Sequence, residues 1–156
     1  MSRTYEEIIE GNSVHRTVLG GRHRLVLERL HALVRAALPV NGPALLQEPR
    51  STVQLRSDAI LRPDLSLVTA ATGKVFIAAE IISSEDHRWD TVTKKEIYED
   101  CKIPRLWMID LRYDNVEVYH GSQYGLGLKG ILASKEVLTE KLLPNLSVSM
   151  NELFSD

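Results

Sequence analysis

The segment Val75-Phe-Ile-Ala-Ala-Glu80-Ile-Ile82 constrains the fold more than any other part of the chain. Apart from its one glutamate it is apolar on both faces, and a strand that must hide both faces lies inside a sheet with a layer packed on each side. Glu80 therefore carries a carboxylate into a dry interior. A charge in that position requires a proton, a basic partner or a metal ion.

The neighbouring sequence supplies the rest of such a sheet. Short extended pieces, Ala44 to Glu48, Thr52 to Arg56 and Leu65 to Thr69, precede the central strand and read together with it as a β-meander. Arg105 to Asp110 and Val116 to His120 form a later pair of strands about the turn Arg112-Tyr113-Asp114-Asn115, and Glu136 to Glu140 a last one. Glycine-rich Gln123 to Gly130 reads as loop. Residues 22 to 38 place Leu27, Leu30, Val34 and Leu38 at helical spacing, ending at Pro39. Thr4 and Glu7 match a capping box, so a short helix is expected from Thr4 to Gly11. A further helix runs from Asp90 to Cys101, capped by Asp90 or Thr91, and Ser149 caps a terminal one through Phe154. Helices alternating with strands give an α/β fold with a central mixed β-sheet flanked by helices, and 156 residues suit a single domain spanning 1–156.

Charge and cysteine content narrow the function. Nineteen Lys and Arg against 21 Asp and Glu leave a net charge of −2, which excludes a strongly basic nucleic-acid binder. The sign is uneven, with six Arg against four Glu in residues 1–40 and 13 basic against 17 acidic groups in the remainder. Should the chain meet a polyanion, the basic first part is the surface that would face it. Cys101 has no second cysteine to pair with, and no long apolar run or leader-like start is present, so a cytoplasmic, membrane-free protein is expected.

Asp64 enters the strand before Glu80. If Thr69 pairs with Val75 across the loop Ala70 to Lys74, Asp64 falls directly opposite Glu80. Two carboxylates meeting there suit a divalent cation with oxygen ligands. On the following helix Lys94, Ile97, Tyr98 and Cys101 share one stripe, which turns Lys94 inward and leaves Lys95 to solvent. An inward lysine beside two acids can hold a water molecule next to a metal. Tyr98 and Trp107 read as core, Trp89 as facing a partner or substrate, and Glu10, Glu28 and His23 as solvated, with phosphate binding at His23 the sharper alternative.

The ordered set Arg62-Pro63-Asp64, Ala79-Glu80-Ile-Ile-Ser83, Asp90-x3-Lys94-x3-Tyr98, Ile103-Pro104-Arg-Leu-Trp107-Met-Ile-Asp110 and Leu143-Pro144-Asn-Leu-Ser-Val resembles the Uma family, within the PD-(D/E)XK or restriction-endonuclease-like nucleases. The resemblance spans nearly the whole chain. It departs at Leu106, where an aromatic is usual, and is loose between Gly11 and His23. It implies a restriction-endonuclease-like fold and hydrolysis of DNA phosphodiester bonds, by in-line attack leaving a 5′-phosphate. It also implies a Mg²⁺ ion, or Mn²⁺, on Asp64, Glu80 and the main-chain carbonyl of Ile81. Lys94 then stands in for the lysine that other superfamily members carry at the position of Ile82, and a homodimer would serve the two strands of a duplex. The competing expectations are an inactive DNA-binding or self-assembling module of the same fold, and a small-molecule phosphodiesterase.

Overall fold

A computed structural model describes residues 3–83 and 89–156, with the side chains of residues 89 and 90 outside the described set. The expected Asp90 cap, Trp89 and the approach through residues 84–88 fall outside it as well.

The centre is a six-stranded mixed sheet. In chain order its members are β3 (Ala44–Leu46), β6 (Leu65–Thr69), β7 (Val75–Ile82), β8 (Arg105–Asp110), β9 (Asn115–Ser122) and β10 (Gly125–Ala133). Their spatial order is β10-β9-β8-β7-β6-β3, and β7 and β8 alone run parallel. The apolar run of β7 is internal, as its sequence requires. Parallel pairing demands a crossover, here a π-helical segment Trp89–Lys94 continuing into α2 (Lys95–Asp100).

Each face of that sheet is covered differently. Leu65, Leu67, Ile77, Ala79, Ile81, Trp107 and Ile109 pack beneath α1 (Gly21–Ala37), with α3 (Met150–Phe154) and the β11 (Val137–Glu140) and β12 (Leu143–Ser149) hairpin. On the opposite face Ala78, Ile82, Leu106 and Met108 meet Ile97 and Tyr98 of α2 and residues of a second sheet. That second sheet has the order β2-β1-β5-β4, from β1 (Thr4–Ile9), β2 (Asn12–Thr17), β4 (Val53–Arg56) and β5 (Ala59–Leu61).

Three expectations change. Residues Thr4 to Gly11 form a strand and turn in place of a helix: Glu10 and Gly11 both take positive φ, 53° and 78°, and link β1 to β2 as a tight hairpin. The capping-box spacing was coincidental, because Tyr5, Glu7 and Ile9 alternate toward the interior at period two. Most of the segment Gln123 to Gly130, expected as loop, belongs to the edge strand β10, where cross-strand pairing with β9 overrides the strand-breaking glycines. The meander is split, since β3 joins the large sheet and β4 the small one.

Close packing fixes the end of α2. A Cβ on Gly121 would lie 2.3 Å from the carbonyl oxygen of Ile103, so only glycine lets β9 approach the turn that follows that helix. The amide of Gly121 donates to Pro104 O at 2.8 Å in the same contact. At the C-terminal side Ser149 caps α3 as expected, its hydroxyl accepting from Glu152 N at 3.1 Å.

Candidate active site

The β6–β7 register places the two acids. Leu65↔Ala79, Ser66↔Ala78 and Leu67↔Ile77 pair in the expected register, with Asp64 directly before Leu65 and Glu80 directly after Ala79. The expected anchor, Thr69 with Val75, is displaced. A bulge pairs Val75 with Val68 instead, and it lies beyond the residues that matter for the site.

Glu80 projects to the α2 face and is 2 % exposed, while Lys94 is 0 % exposed. The Lys94 ammonium lies 2.5 Å from Glu80 Oε2, and the Tyr98 hydroxyl donates to the same oxygen at 3.1 Å. Tyr98 therefore combines the core position expected of it with a polar contact inside the site. Lys95, on the outward side, is half-buried with its ammonium 4.5 Å from the centre of the Tyr119 ring, a cation–π contact in place of full solvation.

A third acid was missed from the sequence. Glu7 of β1 is fully buried, with Oε2 2.9 Å from Lys94 Nζ and Oε1 accepting from Arg16 Nη1 at 2.9 Å. The amide of Arg62 also donates to its Oε2, at 2.7 Å. Burial alone would raise the Glu7 pKa; the Lys94 charge, the Arg62 N–H and Arg16 outweigh it and hold the carboxyl below its ordinary value. Glu10 and Glu28, read from the sequence as solvated, are exposed. The available signal was the Glu10-Gly11 turn, which makes residue 7 an inward position of a hairpin.

Asp64 sits at the mouth of this cluster. Its Oδ2 accepts from the Ile81 amide at 2.8 Å, and Oδ1 faces His23 Nε2 at 3.8 Å and Arg50 Nη1 at 3.9 Å. The His31 ring donates from Nε2 to the Asp64 carbonyl at 2.9 Å, since a carbonyl can only accept, and burial lowers the pKa of that ring. His23 is buried, contrary to the solvated helix terminus expected of it. Tyr5 joins the two halves of the cluster. Its hydroxyl pKa is raised by burial and feels the charges of Arg16, Asp64, Lys94 and Glu80.

Asp64, Ile81, Tyr5, Arg16, His23, Arg50 and Ser83 line a cavity of about 10 Å³, the scale of a single water or small ion. It shares Leu19 and His23 with two surface hollows, one bearing Arg22 and Arg112 and the other Arg3, Arg24 and Arg50. The basic excess of residues 1–40 is not one open surface. Arg16 is buried on Glu7, Arg22 bonds Phe154 O and Asp114, Arg24 pairs with Glu28, and Arg29 bonds the carbonyl of Ser155.

The donor set at this position is hard oxygen, two carboxylates and the main chain of β7, which suits magnesium or manganese better than zinc. The backbone adds a reason. N–H and C=O of a strand residue exchange bonds with the same neighbour. Ile81 turns its N–H toward the Asp64 carboxylate, and Pro63, the residue before Asp64, has no N–H to give to the β7 main chain. Among the described residues no group of three or more His, Cys, Asp or Glu side chains is spaced to hold a metal, so an ion here would rest on the two acids and main-chain oxygen.

The central mixed sheet and its flanking layers define a mixed α/β protein. The chain belongs to the Uma2 family, described as "Putative restriction endonuclease", whose profile matches residues 3–151. Its fold resembles a crystal structure described as "a putative nuclease belonging to DUF820" from Anabaena variabilis ATCC 29413. That likeness has a TM-score of 0.74 at 17 % identity and covers 96 % of this chain and 89 % of the other. No curated protein matches the sequence.

Proposed function

We propose that this member of a nuclease family is a magnesium-dependent DNA endonuclease in which Asp64, Glu80 and Lys94 do the work. The observation that carries the reading is the burial of Lys94 against Glu80 on the strand that also binds Asp64 through the Ile81 amide. Asp64, Glu80 and the Ile81 carbonyl would hold the ion. When bound, such an ion lowers the pKa of a water and offsets charge on a phosphate. Lys94 contributes N–H donors and a fixed positive charge to the attacking water and the developing phosphate charge. Tyr98 restrains Glu80 by its hydrogen bond. Arg50, with Arg3 and Arg24 in the adjoining hollow, meets backbone phosphates as they approach. The working unit is one domain spanning 1–156, paired as a homodimer so that each strand of a duplex meets one site, and it acts in the cytoplasm. No helix among the described residues is long and apolar enough to cross a membrane.

One observation favours a second reading, a module that binds DNA without cutting it: Glu80 is already balanced by Lys94 and Tyr98. Plasmid cleavage separates the two. Wild type with Mg²⁺ nicks supercoiled DNA, and Asp64→Asn, folded by its circular dichroism, does not. Undiminished cleavage by Asp64→Asn rejects the assignment, and binding without cleavage by wild type selects the module.

A further inference from the structure

Among the described contacts, the Lys94 ammonium meets carboxylates from two layers of the molecule. Glu80 comes from the large sheet and Glu7 from the small one, and both carboxylates reach the same ammonium, at 2.5 and 2.9 Å. Only Glu80 is in the donor set assigned to the cation. Glu7 is committed elsewhere, to Arg16 and to the Arg62 amide, and these bonds hold it in one orientation whatever happens at Glu80. A cation drawing on Glu80 would weaken the Glu80–Lys94 contact, and Glu7 would then be the carboxylate left, of these two, to hold a side chain with four rotatable bonds.

We propose that Glu7 is a positioning residue: it anchors the Lys94 ammonium from β1, so that Glu80 can turn to a cation without releasing the lysine. This rests on the reading of Glu80 and Lys94 given above, but the anchor itself exists in the metal-free protein. It also gives the β1–β2 hairpin a task beyond covering the sheet, since Arg16 of β2 orients Glu7 in turn.

The test follows the Lys94 side-chain ammonium by ¹⁵N-correlated NMR, assigned by its loss in Lys94→Arg. Such signals persist where the group is held and shielded from water. Metal-free Glu80→Gln is expected to retain the signal, because Glu7 still holds the group, and Glu7→Gln/Glu80→Gln to lose it. Glu7→Gln alone is expected to lose it when Mg²⁺ is added, and wild type to keep it. Arg16→Gln serves as the hairpin control and keeps the signal at reduced thermal stability. Loss of the signal in Glu80→Gln, or its survival in the double variant, overturns the proposal. Should a Gln variant not fold, Glu7→Asp takes its place: the charge stays but falls short of Lys94, and the same losses are expected. If no backbone or side-chain resonance of wild type shifts when Mg²⁺ is added, the metal reading fails while the metal-free comparison still decides the anchor.

Discussion

Two ion pairs of similar length are anchored on strands of the large sheet at different depths. Arg105 of β8 lies 2.6 Å from Glu140 of β11 at the sheet's margin, with the arginine side chain 17 % exposed. Lys94 and Glu80 meet at 2.5 Å with the lysine wholly enclosed. The marginal pair is self-contained: one cation and one anion, with the Leu142 amide filling the second carboxylate oxygen at 3.0 Å. It ties β11 to the sheet. The inner cluster is a shared network. Among the described residues Glu7 and Glu80 both reach Lys94, Glu7 also holds Arg16, and Asp64 faces the more distant Arg50, at a depth where charge is costly to keep. A chain needing only stability would fill that space with apolar side chains. Charge retained there points to chemistry.

The comparison breaks most sharply at Lys94. Lys94→Ala leaves Glu7 and Glu80 buried against each other, so cleavage per folded molecule is expected to fall roughly 10²- to 10³-fold and stability by about 3–5 kcal/mol. Complete burial of the lysine is what makes the stability cost large. Cleavage assays paired with urea unfolding check both numbers. Arg105→Ala is expected to cost about 1–3 kcal/mol and to leave cleavage per folded molecule unaltered. Equal losses of activity in the two variants would erase the distinction between the pairs.

Acid sharpens it further. The Glu7 carboxyl is depressed below its ordinary value in the folded protein, so its stabilising contribution is present above the unfolded carboxylate range and drains away as pH falls through the folded value. Denaturation midpoints measured from neutral pH downward are expected to fall less steeply in Glu7→Gln than in wild type; parallel curves contradict this. The smallest effect belongs to the solvated pair Arg24–Glu28, 72 % and 59 % exposed, where Arg24→Ala is expected to cost about 0.3–0.5 kcal/mol. A loss above 1.4 kcal/mol would mean that depth does not separate these pairs.

How much of this was legible in the sequence followed from periodicity. β6, β7 and β8 were read at their observed limits because buried strands are continuous apolar runs. Asp64 and Glu80 stood out against that background, and the stripe through Ile97 and Tyr98 turned Lys94 inward. Glu7 was hidden for the complementary reason. An inward polar residue in a strand with one exposed face breaks the alternation that would announce the strand, and Thr4 offered a helical explanation at matching spacing. The edge strand β10 was obscured by Gly125, Gly127 and Gly130, whose place in the sheet depends on the partner strand β9 and not on their own propensity.

The central claim is that Asp64 and Glu80 share a divalent cation within reach of Lys94. A crystal soaked in Mn²⁺ and measured at the manganese edge tests it most directly. The account predicts one anomalous peak bridging the two carboxylates, bound also by the Ile81 carbonyl, with the Lys94 ammonium still on Glu7. No peak there, with Lys94 and Glu80 still paired at saturating Mn²⁺, would contradict it.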